Sequence, residues 1–219
     1  HGSQEKAPPK FWGIEPDHLD ETLVLYDSRT EGGWDLADKE ISVLIHEIAQ
    51  KNPQIVVILD ACHSGSGTRD ANGSRARLAP QDERERSLET FLDGFFVTTP
   101  VEVVGANTSS EAGWMALPSG RHVVMAACQP EESAREKGMP NGNVHGVLTY
   151  CLLDTLQQAG PTMTYRDIFN RVQVMVRSHE KDQLPVLETT RTEDVALPFL
   201  GGAIIRQPPY FDVYYDEDE

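Results

Sequence analysis

A chain of 219 residues with 39% hydrophobic content is long enough for one substantial domain and too short for two. Its net charge of −16 argues against nucleic acid, since a binder needs a basic face to displace counterions, and against an anionic membrane surface. No stretch nears the length of an apolar membrane span, no signal peptide is visible, and Cys62, Cys128 and Cys151 form neither a CxxC pair nor a disulfide framework, so a reducing, cytoplasmic setting is expected.

Residues 5–19, with Pro8, Pro9, Gly13 and Pro16, read as a surface loop, and residues 20–27 as a short strand entering a turn at Gly32 and Gly33. Ile41, Leu44, Ile45, Ile48 and Ala49 recur at helical spacing over 38–50, with Asp38 as the expected cap and Asn52-Pro53 as the stop. Ile55 to Leu59 is an unbroken aliphatic run, the pattern of a strand buried on both faces, and it ends in Asp60-Ala61-Cys62-His63-Ser64-Gly65. Helix, short turn and buried strand make the second half of a βαβ unit. An α/β fold with a parallel sheet is therefore expected, with chemistry just past the carboxyl end of that strand.

From 68 to about 120 the pattern dissolves into a long arginine-bearing loop, of a length that is usually functional or disordered. Residues 121–128 read as a second buried strand. Helices come next at 145–158 and from Tyr165 to about Val176, the latter capped by Thr164. Residues 201–205 read as an edge strand and 206–219 as an acidic tail or linker, which leaves one domain over 1–205.

A cysteine after a strand is open to two readings, a packing thiol or a nucleophile, because free cysteine is among the most buried residue types. A cysteine nucleophile needs a histidine brought to it by the fold, and the chain opens on His1-Gly2. His1-Gly2 followed by Asp60-Ala61-Cys62-His63-Ser64-Gly65 resembles the caspase-like cysteine peptidases, and within them the metacaspases and their prokaryotic relatives, the orthocaspases. The later order agrees: a variable loop, then Val123-Val124-Met125-Ala126-Ala127-Cys128-Gln129, a helix beginning near His145-Gly146, and residues 183–188. The resemblance implies a three-layer αβα sandwich around a mostly parallel sheet, in a monomeric module of a larger cytoplasmic prokaryotic protein. The family's strand and helix before this histidine are not in the sequence, so the chain is expected to be a piece whose N-terminal segment is missing.

The resemblance also implies roles. Cys62 would be the nucleophile and His1 the proton carrier, with the backbone N–H groups of Gly2 and Cys62 binding the oxyanion. Asp60 projects to the same side as Cys62 on an extended backbone and would line a pocket for arginine or lysine, a turn or helix cap being the alternative. Glu132 and Ser133 fall in a loop that shapes the cleft. His63, adjacent to the nucleophile, would point away.

Substrates are expected to be proteins or peptides cut after Arg or Lys, and Arg69, Arg75, Arg77, Arg84 and Arg86 are candidates for self-cleavage; a solvated mixed-charge loop explains the same residues. No cofactor or metal is assigned. The calcium of many metacaspases would draw on Asp17, Asp20, Glu21, Asp35 and Asp38, but there is no EF-hand pattern and a solvated acidic face is the preferred reading. A catalytically degenerate scaffold or regulatory domain is the rival function.

Overall fold

In a computed structural model of the chain, residues 1–13, 15, 17–62, 73–92, 121–129, 131–160 and 162–202 are described. Their strands are β1 (Gly2–Lys6), β2 (Leu19–Leu23), β3 (Leu36–Ala37), β4 (Ile55–Leu59), β5 (Arg75–Ala76), β6 (Asp82–Glu85), β7 (His122–Ala126), β8 (Arg135–Gly138), β9 (Val144–Gly146) and β10 (Val186–Thr189). Their helices are α1 (Asp38–Ala49), α2 (Val147–Gln158) and α3 (Tyr165–His179). The strands pair as three sheets in the orders β3-β2-β1-β6, β10-β7-β4 and β5-β8-β9. Pairing is mixed: β4 with β7 and β1 with β6 run parallel, and the other pairs are antiparallel.

The central trio supports the site. β7 is buried along its whole length, so its aliphatic residues face packed neighbours on both sides. β4 lies in register with it, and Ala127 N–H extends the ladder to the carbonyl of Leu59 (2.9 Å). β4 is less covered than its aliphatic run suggests: Ile58 is 41% exposed, because β4 is an outer strand with β7 as its described partner. Leu148 of α2 and Ile168, Val172 and Val176 of α3 are fully buried in one core with Val123 and Met125. α3 starts on a reciprocal cap, in which Thr164 Oγ1 accepts from Asp167 N (3.1 Å) and Asp167 Oδ2 accepts from Thr164 N (3.0 Å).

Several expectations shift. β1 runs into the segment 5–19 that reads as a loop, and β6 falls inside the arginine-bearing one. Their buried positions carry Ser3, Glu5 and Asp82, so the period-2 apolar signal of a strand is missing. Ala37, not Asp38, precedes α1, and Glu40 holds its N–H (2.9 Å). Residues 144–146 form a strand before α2, and α3 runs on to His179. Phe199–Gly202 is a 3-10 turn and not the start of an edge strand. Residues 203–205, the acidic tail and the stretch from His63 to Asn72, with Arg69, lie outside the described residues. Among the described residues no helix is long and apolar enough to cross a membrane.

Candidate active site

The carboxyl end of β4 meets the amino end of α2 at Asp60. One carboxylate oxygen, Oδ2, accepts from the backbone N–H of Thr149 (3.0 Å) and from its hydroxyl (2.6 Å), capping α2 from another element. Gly146, which precedes the helix, leaves room for this: a Cβ there would lie 2.1 Å from Asp60 Oδ2. Gly146→Ala should therefore lower stability by about 1–3 kcal/mol in denaturant unfolding, the usual range for overpacking. A neutral result would mean that the carboxylate moves aside freely.

The other oxygen, Oδ1, is buried without a hydrogen bond and lies 3.8 Å from Nε of Arg77. That arginine belongs to a segment whose backbone runs between β8 and the amides of Gly2 and Cys62. β5 pairs antiparallel with β8, matching Arg75 with Glu136 and Ala76 with Arg135, and Arg77 N–H donates to the carbonyl of Ala134 (2.8 Å). The Arg77 carbonyl then accepts two backbone donors, Gly2 N–H (3.3 Å) and Cys62 N–H (3.2 Å). Its guanidinium donates from Nε to the carbonyl of Asp60 and from Nη1 to Glu136 Oε2 (3.0 Å). Beyond it, Leu78 bridges to Gly2 in the parallel sense, and Ala79 N–H donates to the Gly2 carbonyl (2.8 Å).

Cys62 is fully buried, and part of its cover is this same segment: Ala76 shares its apolar cluster and the Arg77 carbonyl sits on its amide. The thiol donates to the Ala134 carbonyl (3.1 Å). The thiol of Cys128 hydrogen-bonds it and lowers its pKa, against the opposing effect of burial, and the Ser133 hydroxyl acts in the same sense. Cys128, the other member of the pair, is pushed up by that bond and by burial. Cys151 is raised to about 12 by burial and by nearby acids, as an inert core thiol would be. His1 is a third exposed, with Nε2 3.8 Å from Glu136 Oε2. The backbone N–H groups of Gly2 and Cys62 thus converge on one carbonyl oxygen although sixty positions separate them.

Other candidates separate on position. Glu132 Oε2 accepts from Leu184 N (2.7 Å) and Gln129 N (3.3 Å), joining two loops, and the acid that meets Arg77 beside Asp60 is Glu136, which sequence reading missed. Arg86 is 7% exposed within a ring of acceptors, so it cannot reach a cleft while the chain is folded. Arg84 is clamped on Asp82 (2.6 Å) and stacked over Trp34 (4.4 Å). Arg75 is exposed two residues before Arg77.

The acidic residues after β1 are not a solvated face. Asp20, Asp35 and Asp38 are buried, and Asp35 pairs with Arg29 (2.7 Å). Asp17 instead caps a turn, accepting from Leu19 N (3.1 Å). Glu15, Glu21 and Asp38 place one oxygen each within 4.8 Å of one another, a hard-oxygen set in chemical terms. The Lys39 ammonium, however, already binds Glu15 (2.5 Å), Asp20 (2.6 Å) and Asp38 (3.3 Å). The group carries its own cation, and a metal would have to displace it.

Burial makes three of the acids around this ammonium, Glu15, Asp20 and Glu21, hold protons late. Burial, with the charges of Asp38 and Glu15, raises Glu21 from 4.5 to about 8. Folded Glu21 therefore binds a proton that the unfolded chain releases near 4.5, and its contribution to stability falls as pH rises from about 4.5 to about 8. The melting temperature of Glu21→Gln should gain on the unsubstituted chain across that window; a constant difference would refute the assignment.

A parallel β-pair ending in a buried cysteine beneath two convergent backbone donors defines a caspase-type cysteine peptidase domain. The family model for the caspase domain matches residues 1–196, and the chain belongs to that family. It is 25% identical to metacaspase-1 of Arabidopsis thaliana over 98% of its length and 24% identical to metacaspase-3 of the same plant, also over 98%. It spans 54% and 51% of those relatives, about half their length. A crystal structure of a Geobacter sulfurreducens protein shares the fold, with a TM-score of 0.53 and 22% identity, covering 94% of this chain and 69% of that one.

Proposed function

We propose that this chain is a cysteine endopeptidase that cuts after arginine, and that the Arg77–Leu78 bond is a substrate within its own sequence. The reading is carried by one observation: the carbonyl oxygen of Arg77 accepts from the N–H groups of both Gly2 and Cys62. Those distances, slightly long for an oxyanion, suit a ground-state carbonyl that draws closer as charge develops. Cys62 passes its thiol proton to His1 and the thiolate attacks the Arg77 carbonyl carbon, while the two amides hold the oxygen as it becomes negative. Collapse breaks the bond to Leu78, whose amine leaves with a proton from His1. Water, giving a proton to His1, then attacks the thioester, and Cys62 is released as the Arg77 carboxylate forms.

Asp60 and Glu136 meet the guanidinium at separate nitrogens, a fit for the flat fork of arginine that the single ammonium of lysine cannot reproduce. The uncut segment fills the cleft in the resting chain, which explains why Cys62 is covered. Intact-mass analysis tests the proposal. The unsubstituted chain should yield fragments 1–77 and 78–219 and turn over an arginyl fluorogenic peptide, whereas Cys62→Ala should do neither and Arg77→Ala should stay uncut at this bond. A chain that remains whole and turns over no arginyl peptide would be the degenerate scaffold instead.

A further inference from the structure

The half of the segment beyond the Arg77–Leu78 bond is gripped by residues with no part in the bond-breaking steps. The carbonyl of Pro80 accepts from Ser3 Oγ (2.9 Å) and from Arg29 Nη1 (2.6 Å). Arg29 is fixed from behind. Its Nε and Nη2 donate to Asp35 Oδ2 (3.1 and 2.7 Å), and Nη2 also donates to Ser3 Oγ (2.7 Å). Asp35 is fully buried, and the hydroxyls of Ser28 (2.5 Å) and Thr22 (3.4 Å) donate to it as well. Together with the Gly2 carbonyl, which takes the N–H of Ala79, these groups form a rail of donors and acceptors along the edge of β1. The rail runs from the bond between residues 77 and 78 to the third residue beyond it.

We propose that Ser3 and Arg29 form a leaving-side subsite that binds the main-chain carbonyl of the third residue after the cut, so that this peptidase favours substrates extending at least three residues past the arginine. The proposal rests on the peptidase reading above and adds the recognition of the departing half. Anchoring both halves of the bond holds the scissile carbonyl between the thiol and its two amide donors, and such positioning lowers the barrier without new chemistry. A guanidinium on a carbonyl is a charge-assisted bond, stronger than a neutral one, and it reads main chain, so it selects for length more than for side chain. Ser3 and Arg29 are positioning residues.

Ser3→Ala removes one donor, and Arg29→Lys keeps a charge beside Asp35 while losing the fork. For each variant two rates come from one sample: the appearance of the fragment beginning at Leu78 and, after processing is complete, hydrolysis of an arginyl aminocoumarin, which has no residue beyond the cut. Because both report the same folded molecules, a loss of folded fraction cancels in their ratio. The ratio of processing to aminocoumarin hydrolysis should fall on the order of tenfold in each variant, the scale of one well-placed charge-assisted contact. An unchanged ratio overturns the subsite and leaves the peptidase reading intact. No fragment from the unsubstituted chain overturns the subsite, and no arginyl turnover beside it overturns that reading as well.

Discussion

Asp60→Asn combined with Glu136→Gln should lower kcat/KM for an arginyl peptide by roughly a hundredfold or more, since truncating one partner of a buried charge pair costs about 2–5 kcal/mol. Both substitutions keep size and shape. An asparagine at 60 still offers Thr149 an oxygen, so the cap on α2 survives while the negative charge beside Arg77 Nε is lost. The effect should therefore fall on binding of the guanidinium and not on folding. A peptide with citrulline, the neutral isostere of arginine, provides the control: it loses no ion pair, and the preference for arginine over citrulline should shrink by the same factor. If the double variant keeps that preference, the guanidinium is recognised elsewhere and the pocket assignment fails.

Arg86→Leu should destabilise the chain by about 3–5 kcal/mol, the usual consequence of stranding buried charges. Nη1 of Arg86 donates to Glu5 (2.9 Å) and Glu40 (3.0 Å) and to the Asp35 carbonyl (3.0 Å), while Nη2 donates to Glu40 (2.9 Å) and the Thr90 carbonyl (3.1 Å). The guanidinium also lies 3.8 Å from the centre of the Phe91 ring. Leucine satisfies none of these acceptors and leaves the two carboxylates facing each other in the interior. At 2–4 °C per kcal/mol for a domain of this size, the melting temperature should drop by about 6–20 °C. Burial already raises Glu5 to about 7. A stranded carboxyl escapes its charge by taking a proton, so the loss should be smaller at pH 5 than at pH 8. A loss below about 1 kcal/mol would show that water reaches these acids once the arginine is gone.

That ion pair also shows why part of the fold was hidden in the sequence. Glu5 and Arg86 read separately as charged loop residues, yet each is buried because the other is there. Apolar periodicity marks strands whose inward side chains are hydrocarbon, and it found Ile55–Leu59 and His122–Ala126. It is blind to β1 and β6, where inward positions hold Ser3, Glu5 and Asp82, and to an acidic cluster that encloses a lysine. Asp60 combines its two readings: one oxygen caps a helix and the other faces an arginine.

By itself the sequence showed the strand that leads to Cys62, the two motifs, His1-Gly2 and residues 60–65, that carry the family resemblance, and an arginine-bearing segment downstream of them. These are local patterns, written in neighbouring residues. Only the tertiary structure decided that the carbonyl of Arg77, and not that of Arg84 or Arg86, meets the amides of Gly2 and Cys62, that Glu136 meets the Arg77 guanidinium, and that Ser3 and Arg29 hold the Pro80 carbonyl. Each of those contacts depends on the register of β5 against β8, or of residues 78–85 along β1. Such a register joins segments some sixty to eighty positions apart, and the hydrogen bonds that fix it run through backbone groups that every residue type carries.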